Sequence, residues 1–494
     1  QGYRGISAER AYAELLSGME PKQTVVVAII DSGFDITHPD LNDVVWTNPG
    51  EVAGNGKDDE NDGYVDDVHG WDFIGGPGGD IDHARYELTR LFAADSARFQ
   101  GANPDTFSAA THAEYEKFQG YAHELRSKRA EAEQQLQQYR MAELGMSRAT
   151  ELLKQALGTD SLTTEKVQAL NPANATVSQA RTIWLRLTGL GATLEAIREV
   201  TEHVENELKY GLNSTFNPRV KVGDDPDDPR ERFYGNNDVI GPDALHGTHV
   251  AGIVGAERNN GMGIDGVSGA VRLMSIRTVP DGDERDKDVA NAIRFAVDHG
   301  ADVINMSFGK AYSPQKEVVD DAVRYAMDHG VLMVHAAGND ASNIDEVNNY
   351  PSRHYQSGGA AQNWIEVGAS TYRGDTLAAS FSSFSHQSVD VFAPGEAIYS
   401  TVPGGEYQNL QGTSMAAPVV TGIAATLMAY FPELTAAQVK QIIVQSAVQY
   451  PGLRVIKPGT EDVLIPFSEL SISGGVANLY RAVQLARQMT AQGR

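Results

Sequence analysis

The 494-residue sequence predicts an α/β fold: an open, mostly parallel sheet with helices on both faces, interrupted by an all-helical insertion. Three observations lead to this prediction. Short apolar, β-branched runs without polar alternation recur along the chain, which is typical of strands buried on both faces of a parallel sheet. Helical patterns lie between several of these runs, as crossover connections require. One long stretch, residues 81–214, carries almost no strand signal.

The first predicted strand is the run TVVVAII at residues 24–30. Similar runs follow at residues 271–276, 302–306, 331–336 and 365–369. Helical patterns are found at residues 288–298, 316–328 and 414–430. Because the strand pattern resumes after residue 214, we assign residues 1–80 and 215–494 to one α/β domain and residues 81–214 to an insertion. A separate linker domain is the alternative.

Within the insertion, residues 115–157 place mostly apolar side chains at alternating three- and four-residue steps. This spacing predicts one long helix with a single apolar seam. Residues 176–210 predict a second helix, weakened around Gly189 and Gly191 and ended by Gly211. Because a long helix does not leave its seam in water, we expect either an antiparallel hairpin or pairing with a second copy in a homodimer.

The composition argues against several classes of function. The chain has 66 acidic and 40 basic residues and a net charge of −26, which disfavours a nucleic-acid partner and suits a protein that works in salt or binds cations. It has no cysteine, which excludes disulfides and cysteine-based metal or nucleophile sites. No apolar run reaches the roughly 20 residues of a membrane span, so none is expected.

Three short stretches carry candidate reactive residues. In HGTHVAGIVGA (246–256), His246 and His249 are three residues apart. A zinc peptidase helix carries H-E-x-x-H, with its histidines four apart, so the spacing disfavours a metal site. A buried structural histidine is the main alternative to a catalytic base. Asp31 follows the first strand, where chemistry gathers in open α/β sheets, although a turn or helix cap uses the same residue. Ser414 lies in the first turn of a predicted apolar helix. A serine there either caps the helix or serves as a nucleophile beside free backbone N–H groups.

Together these stretches resemble the signature segments of subtilisin-like serine peptidases, the subtilases. DSGFDITHPDL, HGTHVAGIVGA and GTSMAAPVV match in the order Asp, His, Ser, and HAAGND (335–340) matches the segment with the oxyanion asparagine. The resemblance covers residues 24–80 and about 235–485. It implies the subtilisin-like form of the α/β fold, whereas the helical insertion has no counterpart in the family's minimal members.

The resemblance implies a role for each of these residues. Ser414 would be the nucleophile, His246 the base that takes its proton, and Asp31 the carboxylate that orients the imidazole. The Asn339 side chain and the Ser414 backbone N–H would stabilise the oxyanion, and His249 would be structural. The implied reaction is endopeptidase cleavage of a peptide or protein substrate, with no cofactor for catalysis.

The resemblance also implies where the substrate binds. The peptide would add as a strand beside Ser307, Phe308 and Gly309. Ala336, Ala337 and Gly338 match one wall of the pocket for the residue before the cut, and Asn349 matches a position at its base. Family members with wide apolar pockets often have glycine at that position. Asn349 therefore argues against a purely apolar preference, and the sequence assigns no preferred residue.

Two structural calcium sites are expected. Asp40 and Asn260 match ligands of a site common in the family, although the loop after Ala256 is one residue longer. Separately, the loop DDENDGYVDD (58–67) alternates oxygen donors, with Gly63 where a calcium loop turns sharply. Its expected donors are Asp58, Glu60, Asp62, the Tyr64 carbonyl and Asp66. His69 stands where an EF-hand has glutamate, and a solvated acidic turn is the alternative.

The sequence therefore favours a bacterial endopeptidase that is secreted or lies in the cell envelope or periplasm. A second hypothesis is a dedicated processing peptidase whose helical insertion limits substrate access or mediates association. A third is an inactive relative that acts through the helical hairpin as a binding module. The intact set of Asp31, His246, Ser414 and Asn339 argues against the third hypothesis.

Overall fold

The computed structural model describes residues 4–373 and 376–492. The chain divides into two compact units. The first, which we call the α/β unit, contains Gln1–Asp82 and Pro218–Arg494, and the second, the helical unit, contains His83–Asn217.

The strands are β1 Val25–Asp31, β2 Gly70–Asp72, β3 Val271–Arg277, β4 Val303–Met306, β5 Leu332–Ala336, β6 Trp364–Ser370, β7 Val391–Pro394, β8 Ile398–Val402, β9 Glu406–Leu410, β10 Val448–Gln449, β11 Arg454–Ile456, β12 Leu464–Pro466 and β13 Gly475–Val476. The helices are α1 Ala8–Arg10, α2 Glu87–Phe99, α3 Ala109–Leu157, α4 Thr164–Ala169, α5 Ala175–Gly189, α6 Leu194–Asn206, α7 Leu245–Gly255, α8 Asp286–Asp298, α9 Lys316–Asp328, α10 Thr413–Tyr430, α11 Ala436–Ser446 and α12 Leu479–Gln492.

A nine-stranded sheet forms the centre of the α/β unit, in the order β10-β13-β7-β6-β5-β4-β1-β3-β2. Its pairs are parallel except for the edge pair β10–β13. The five strands expected from the sequence are the adjacent strands β6, β5, β4, β1 and β3. The prediction of an open, mostly parallel α/β sheet is confirmed.

The central strand β1 shows why such a run forms a buried strand. Val27 and Ile29 belong to the core cluster that also contains residues of α7 and α10. Ala28 and Ile30 alternate with them and face the other side, where α8 packs, and all four are almost fully buried. Burial of one such isoleucine stabilises the fold by about 1.5–3 kcal/mol.

Helix α10 runs along the sheet and contacts five of its strands. By length and composition it is apolar enough to cross a membrane, and 94% of its 18 residues are buried in the structure. A core helix meets the same criteria, and small residues such as Gly422 explain its close packing. A Cβ at Gly422 would lie 2.5 Å from the Val267 side chain.

In the helical unit, α3 is a single helix of 49 residues, capped by Ser108 and ended by Gly158 in the left-handed conformation. Helices α5 and α6 both pack against α3. The buried positions of its seam are Phe118, Leu125, Ala132, Met146, Ala149 and Leu153. The apolar seam is therefore covered within the same chain over much of its length.

The prediction of one second helix over 176–210 is wrong, because the chain forms α5 and α6 with a break between them. Gly191 has a φ of +80°, which interrupts the helix. Thr193 then caps α6 by accepting a hydrogen bond from the Ala196 N–H. The helical path ends in a short π-helical turn, Glu207–Gly211, at the glycine that the sequence indicated.

Candidate active site

The first candidate residue, Asp31, is the last residue of β1 and is almost fully buried. Its Oδ1 accepts a hydrogen bond of 2.8 Å from the Ser32 N–H. The chain then turns at Gly33, which has a φ of +98°, and a Cβ there would lie 2.5 Å from the Ile240 carbonyl oxygen. Only glycine fits this approach, so the turn after the strand holds the carboxylate in place.

His246 lies in the first turn of α7 and meets Asp31 directly. Its Nδ1 is 2.7 Å from Asp31 Oδ1. Because an ionised carboxylate only accepts, Nδ1 carries the proton of this hydrogen bond, which leaves Nε2 as the basic atom. Gly247 allows the contact, since a Cβ at this position would lie 2.1 Å from the Gly33 carbonyl oxygen.

The pKa of His246 reflects two opposing effects. Burial lowers it, but the charge and the hydrogen bond of Asp31 raise it, and the net pKa lies above the usual 6.5. The side chain is still 38% exposed, so a solvent-borne group can reach it.

His249, one turn later, is fully buried, whereas His246 is partly exposed. Its Nε2 donates to the carbonyl oxygens of Ile398 and Gln408, at 2.9 and 3.1 Å. Burial lowers its pKa to about 4, so the ring is neutral near pH 7. These contacts tie α7 to the β8–β9 hairpin, which is a structural role.

Ser414 is the second residue of α10. Its hydroxyl donates to the Ser307 carbonyl oxygen at 3.0 Å, and the Ser307 hydroxyl donates back to the Ser414 carbonyl oxygen at the same distance. Among the described residues, no hydrogen bond joins Ser414 to His246. The structure thus holds two pairs, Asp31–His246 and Ser414–Ser307, and any transfer of the serine proton to the imidazole would require the hydroxyl to rotate. Such bonds are often long or misaligned before substrate binds.

Asn339 follows β5 and is fixed beside the start of α10. Its Oδ1 accepts from the Thr413 N–H at 2.8 Å and from the Thr413 hydroxyl at 3.1 Å. With its oxygen engaged in this way, its Nδ2 group is the donor left for another partner. The Ser414 N–H lies in the first turn of α10, where backbone donors have no partner within the helix. The two donors lie close together in space, since a Cβ on Gly412 would be 3.4 Å from Asn339 Nδ2 and 3.5 Å from the Ser414 nitrogen.

The predicted substrate-binding segments follow two neighbouring parallel strands. Ser307–Gly309 follow β4, and Ala336–Gly338 lie at the end of β5. Asn349 contacts both segments: its Nδ2 donates to the Ala336 carbonyl oxygen at 3.1 Å, and a Cβ at Gly309 would lie 2.3 Å from its Oδ1. The structure brings the seven predicted residues together.

Two buried residues at this site were missed by the sequence analysis. His335 Nε2 donates to the Phe308 carbonyl oxygen at 2.8 Å, and its Nδ1 is 2.8 Å from Glu366 Oε1. The other Glu366 oxygen accepts from the Trp364 indole N–H at 2.7 Å. The pair thus links the segment 307–309 to β6. The available signal was a polar residue inside each of two otherwise apolar strands.

At the first predicted cation site, Asp40 and Asn260 contact each other directly. Asp40 Oδ1 accepts from Asn260 Nδ2 at 2.6 Å, and Oδ2 accepts from the Ile264 N–H at 3.0 Å and the Tyr407 hydroxyl at 3.2 Å. Protein donors therefore satisfy this buried carboxylate, and the asparagine turns its nitrogen towards it. A shared cation at this site stays a prediction.

At the second site, the acidic loop, the predicted donors separate into two groups. Asp58 accepts from the N–H groups of Asp62 and Gly63, and Asp66 accepts from two N–H groups of residues 55–56, so both carboxylates brace the loop. The carboxylates of Glu60 and Asp62 instead lie beside Asp67 and His299. The last two residues were not among the predicted donors, and a calcium ion bound as predicted stays untested.

A parallel sheet with an Asp–His pair at its strand ends and a serine at the start of a core helix is the arrangement of subtilisin-like proteins. The comparison with family models agrees, since the model of the Subtilase family matches residues 22–463. The chain belongs to the subtilase family.

Individual relatives match only part of the chain. Fervidolysin from Fervidobacterium pennivorans is 35% identical over 277 residues, which cover 50% of this chain and 36% of that protein. Subtilisin E from Bacillus subtilis is 37% identical over 211 residues, covering 42% of this chain and 51% of the relative. The cell wall-associated protease of Bacillus subtilis is 34% identical over 257 residues, covering 52% and 27%. The chain thus spans about half or less of the length of these relatives.

Among solved structures, the prenylagaramide maturation protease PagA aligns with a TM-score of 0.40 and 25% sequence identity. The alignment covers 49% of this chain and 82% of that chain.

Proposed function

We propose that this chain is a serine endopeptidase that hydrolyses peptide bonds in peptide or protein substrates. The observation that carries the proposal is the 2.7 Å contact between His246 and Asp31 at the strand ends, beside the helix that presents Ser414. Membership of the subtilase family supports it. The alternative of an inactive binding module would require no such pair.

In the proposed mechanism, Ser414 Oγ attacks the carbonyl carbon of the scissile bond while His246 Nε2 takes its proton. The carbonyl π electrons move onto the oxygen, and Asn339 Nδ2 and the Ser414 N–H stabilise the resulting oxyanion. The intermediate collapses as His246 returns the proton to the leaving amine. Water then attacks the acyl-enzyme by the same route, again with His246 as base, and no cofactor takes part.

Asp31 acts through His246 in this scheme. Its hydrogen bond fixes the tautomer with the proton on Nδ1, and its negative charge stabilises the imidazolium that forms during each step. The raised pKa of His246 has the same electrostatic origin.

We propose that the substrate binds as an extended strand beside residues 307–309 and 336–338. The pocket for the residue before the cut would be closed at its base by Asn349, whose amide reaches both segments. A profile of cleavage sites in a peptide library would define the preference of this pocket.

We assign the helical insertion a role in substrate access or association rather than in chemistry. Its seam is covered by α5 and α6, which favours a closed hairpin. Pairing with a second chain would have to use apolar residues that stay exposed, such as Met141 and Leu144, at 68% and 64% exposure. Light scattering during size-exclusion chromatography would distinguish a monomer from a homodimer.

Secretion or attachment to the cell envelope is proposed because one relative is named a cell wall-associated protease. Fractionation of cells that produce the protein would test it. A structural calcium ion at Asp40 and Asn260, or in the loop 58–67, is likewise a proposal. Excess calcium should then raise the melting temperature after chelation.

The proposed activity is tested by casein hydrolysis. The wild-type chain should cleave casein, and Ser414→Ala should lose cleavage while its circular dichroism spectrum stays unchanged. Undiminished cleavage by the folded variant would overturn the proposal.

A further inference from the structure

Four side chains of the α/β unit converge at the acidic loop: Glu60, Asp62, Asp67 and His299. One candidate ligand atom from each lies within 4.8 Å of all the others. His299 Nε2 is 2.9 Å from Asp62 Oδ2, 3.0 Å from Asp67 Oδ2 and 3.5 Å from Glu60 Oε1. Among residues 4–373 and 376–492, the carboxylates of Glu60, Asp62 and Asp67 form ion pairs only with His299. Three carboxylates therefore share one imidazole, and the negative charge of the cluster exceeds its positive charge.

The imidazole is held in the orientation of a metal ligand. His299 Nδ1 donates to the Phe295 carbonyl oxygen at 2.8 Å, so Nε2 is the atom that points at the carboxylates. The ring stacks on Phe295 with centroids 3.9 Å apart and meets the edge of Trp46. With only 6% of its side chain exposed, the ring has little freedom to turn away.

The carboxylates are also positioned from outside the cluster. Asn48 Nδ2 donates to Glu60 Oε1 at 2.8 Å and to Asp67 Oδ1 at 2.9 Å. The second oxygen of Asp67 is buried and has no partner with hydrogen-bond geometry, although His299 Nε2 lies within ion-pair distance. A buried carboxylate oxygen without a hydrogen bond is costly unless a cation meets it.

We propose that Glu60, Asp62, Asp67 and His299 bind one divalent transition-metal ion, with Zn²⁺ as the best match. Three carboxylate oxygens and one imidazole nitrogen are donors that Zn²⁺ accepts, whereas Ca²⁺ and Mg²⁺ prefer all-oxygen sets with more ligands. In a tetrahedral site with metal–ligand bonds of 2.0–2.1 Å, the ligand atoms lie about 3.3 Å apart. The three distances from His299 Nε2 to the carboxylate oxygens lie around this value.

This site differs from the calcium loop expected from the sequence. It leaves out Asp58 and Asp66, whose oxygens brace the loop, and it adds two ligands, Asp67 and His299. The ion would join the loop 58–67 to the end of α8, which lies more than 200 residues later in the chain. Its role is to hold the loop on the α/β unit, and it is independent of the proposed peptidase activity.

The chain itself offers a matched control. His329 follows α9 as His299 follows α8, within the same tripeptide Asp-His-Gly, and its Nδ1 also contacts the carbonyl oxygen four residues earlier at 2.8 Å. His329 is outside the carboxylate cluster. The variants His299→Gln and His329→Gln therefore change the same residue in the same tripeptide at a helix end, and only the first removes a proposed ligand. His329 is exposed, whereas the side chain of His299 is only 6% exposed.

The test uses the full chain with Ser414→Ala, so that proteolysis does not interfere. After chelation and dialysis, titration calorimetry with ZnCl₂ should show one site per chain, and Zn²⁺ should raise the melting temperature. His329→Gln should keep this affinity, while His299→Gln and Asp67→Asn should weaken it by at least about tenfold. Co²⁺ in the same site should give a visible absorption band that His299→Gln removes.

Equal Zn²⁺ affinity in His299→Gln and His329→Gln would overturn the proposal. Binding of Ca²⁺ alone, unaffected by His299→Gln, would also overturn it and would instead support an all-oxygen calcium loop, and binding of neither ion would contradict both. Should His299→Gln or Asp67→Asn fail to fold, Glu60→Gln provides the same test at a ligand that is 25% exposed. Unchanged Zn²⁺ affinity in that variant would contradict the assignment.

Discussion

The α/β unit and the helical unit differ in what they bury. Among the described residues, the α/β unit buries many charged or polar side chains, including the pairs Asp31–His246 and His335–Glu366. The helical unit buries mainly apolar side chains along the seam of α3, and its buried ion pair is Arg90–Glu87. Burial of a polar group is costly unless it is bonded, so a fold keeps such groups where their position matters. The comparison separates a unit that positions buried polar groups from a unit that is held together mainly by apolar packing.

The largest effect should come from the base. His246→Ala removes the group that takes the proton of Ser414, and we expect kcat on a chromogenic peptide to fall by about 10⁶, the scale known for the corresponding residue of subtilisin. Substitution of an exposed histidine of the helical unit, His123→Ala, is the control and should leave kcat unchanged. A fall in kcat of less than tenfold for His246→Ala would contradict the proposal that the α/β unit holds the catalytic base.

The next effect concerns the oxyanion. Asn339→Ala removes one of two proposed donors, and the loss known for the corresponding amide of subtilisin is about 10²–10³ in kcat. We expect kcat to fall by that factor with little change in KM, because the interaction forms in the transition state. The neighbouring variant Asp340→Ala serves as a control. A rise in KM at constant kcat would instead mean that Asn339 binds substrate.

Replacement of the helical insertion should have a smaller and more selective effect. With residues 85–212 replaced by a short Gly/Ser linker, a chromogenic peptide should be cleaved at a similar rate, because no proposed catalytic residue is removed. Cleavage of a large folded protein should change several-fold, rising if the insertion limits access and falling if it docks substrate. Unchanged rates on both substrates would reduce the insertion to a spacer, and loss of both in a folded variant would contradict the separation of the two units.

The smallest effect should come from the buried pair behind the substrate segment. Glu366→Gln weakens the contact that orients His335 and, through it, the Phe308 carbonyl oxygen. A loss of about 1 kcal/mol corresponds to roughly a fivefold rise in KM, with kcat less affected. Glu346→Gln, at an exposed site nearby in sequence, should show no such rise. An equal fall of kcat in both variants would exclude a positioning role for Glu366.

The sequence predicted those parts of the fold that short-range patterns determine. Buried β-branched runs marked the five adjacent strands of the sheet, and the 3–4 spacing of apolar residues marked α3. The weak point around Gly189 and Gly191 was predicted, but the full break between α5 and α6 was not, because it depends on the backbone conformation of Gly191 and on capping by Thr193. Short strands such as β2, β10 and β13 carry too few residues for a pattern.

For the candidate site, the sequence did not predict which residues far apart in the chain come into contact. Matched motifs indicated Asp31, His246 and Ser414, and the structure brings the first two into contact. The contact of Asp62 and Asp67 with His299 could not be predicted, because a loop and a helix end more than 200 residues apart meet only in the folded chain. The sequence also gave no indication that Ser414 would bond to Ser307 before substrate binds.

The central claim is that Ser414 becomes a nucleophile when His246 is neutral, and covalent labelling tests it most directly. A fluorophosphonate should add one phosphonyl group per chain, located on Ser414 by peptide mass spectrometry. Its rate should rise with pH through a midpoint above 6.5, because the pKa of His246 is raised and only the unprotonated ring accepts the proton. Absence of labelling on Ser414 in the folded wild-type chain, or labelling that survives His246→Ala at the full rate, would contradict the account.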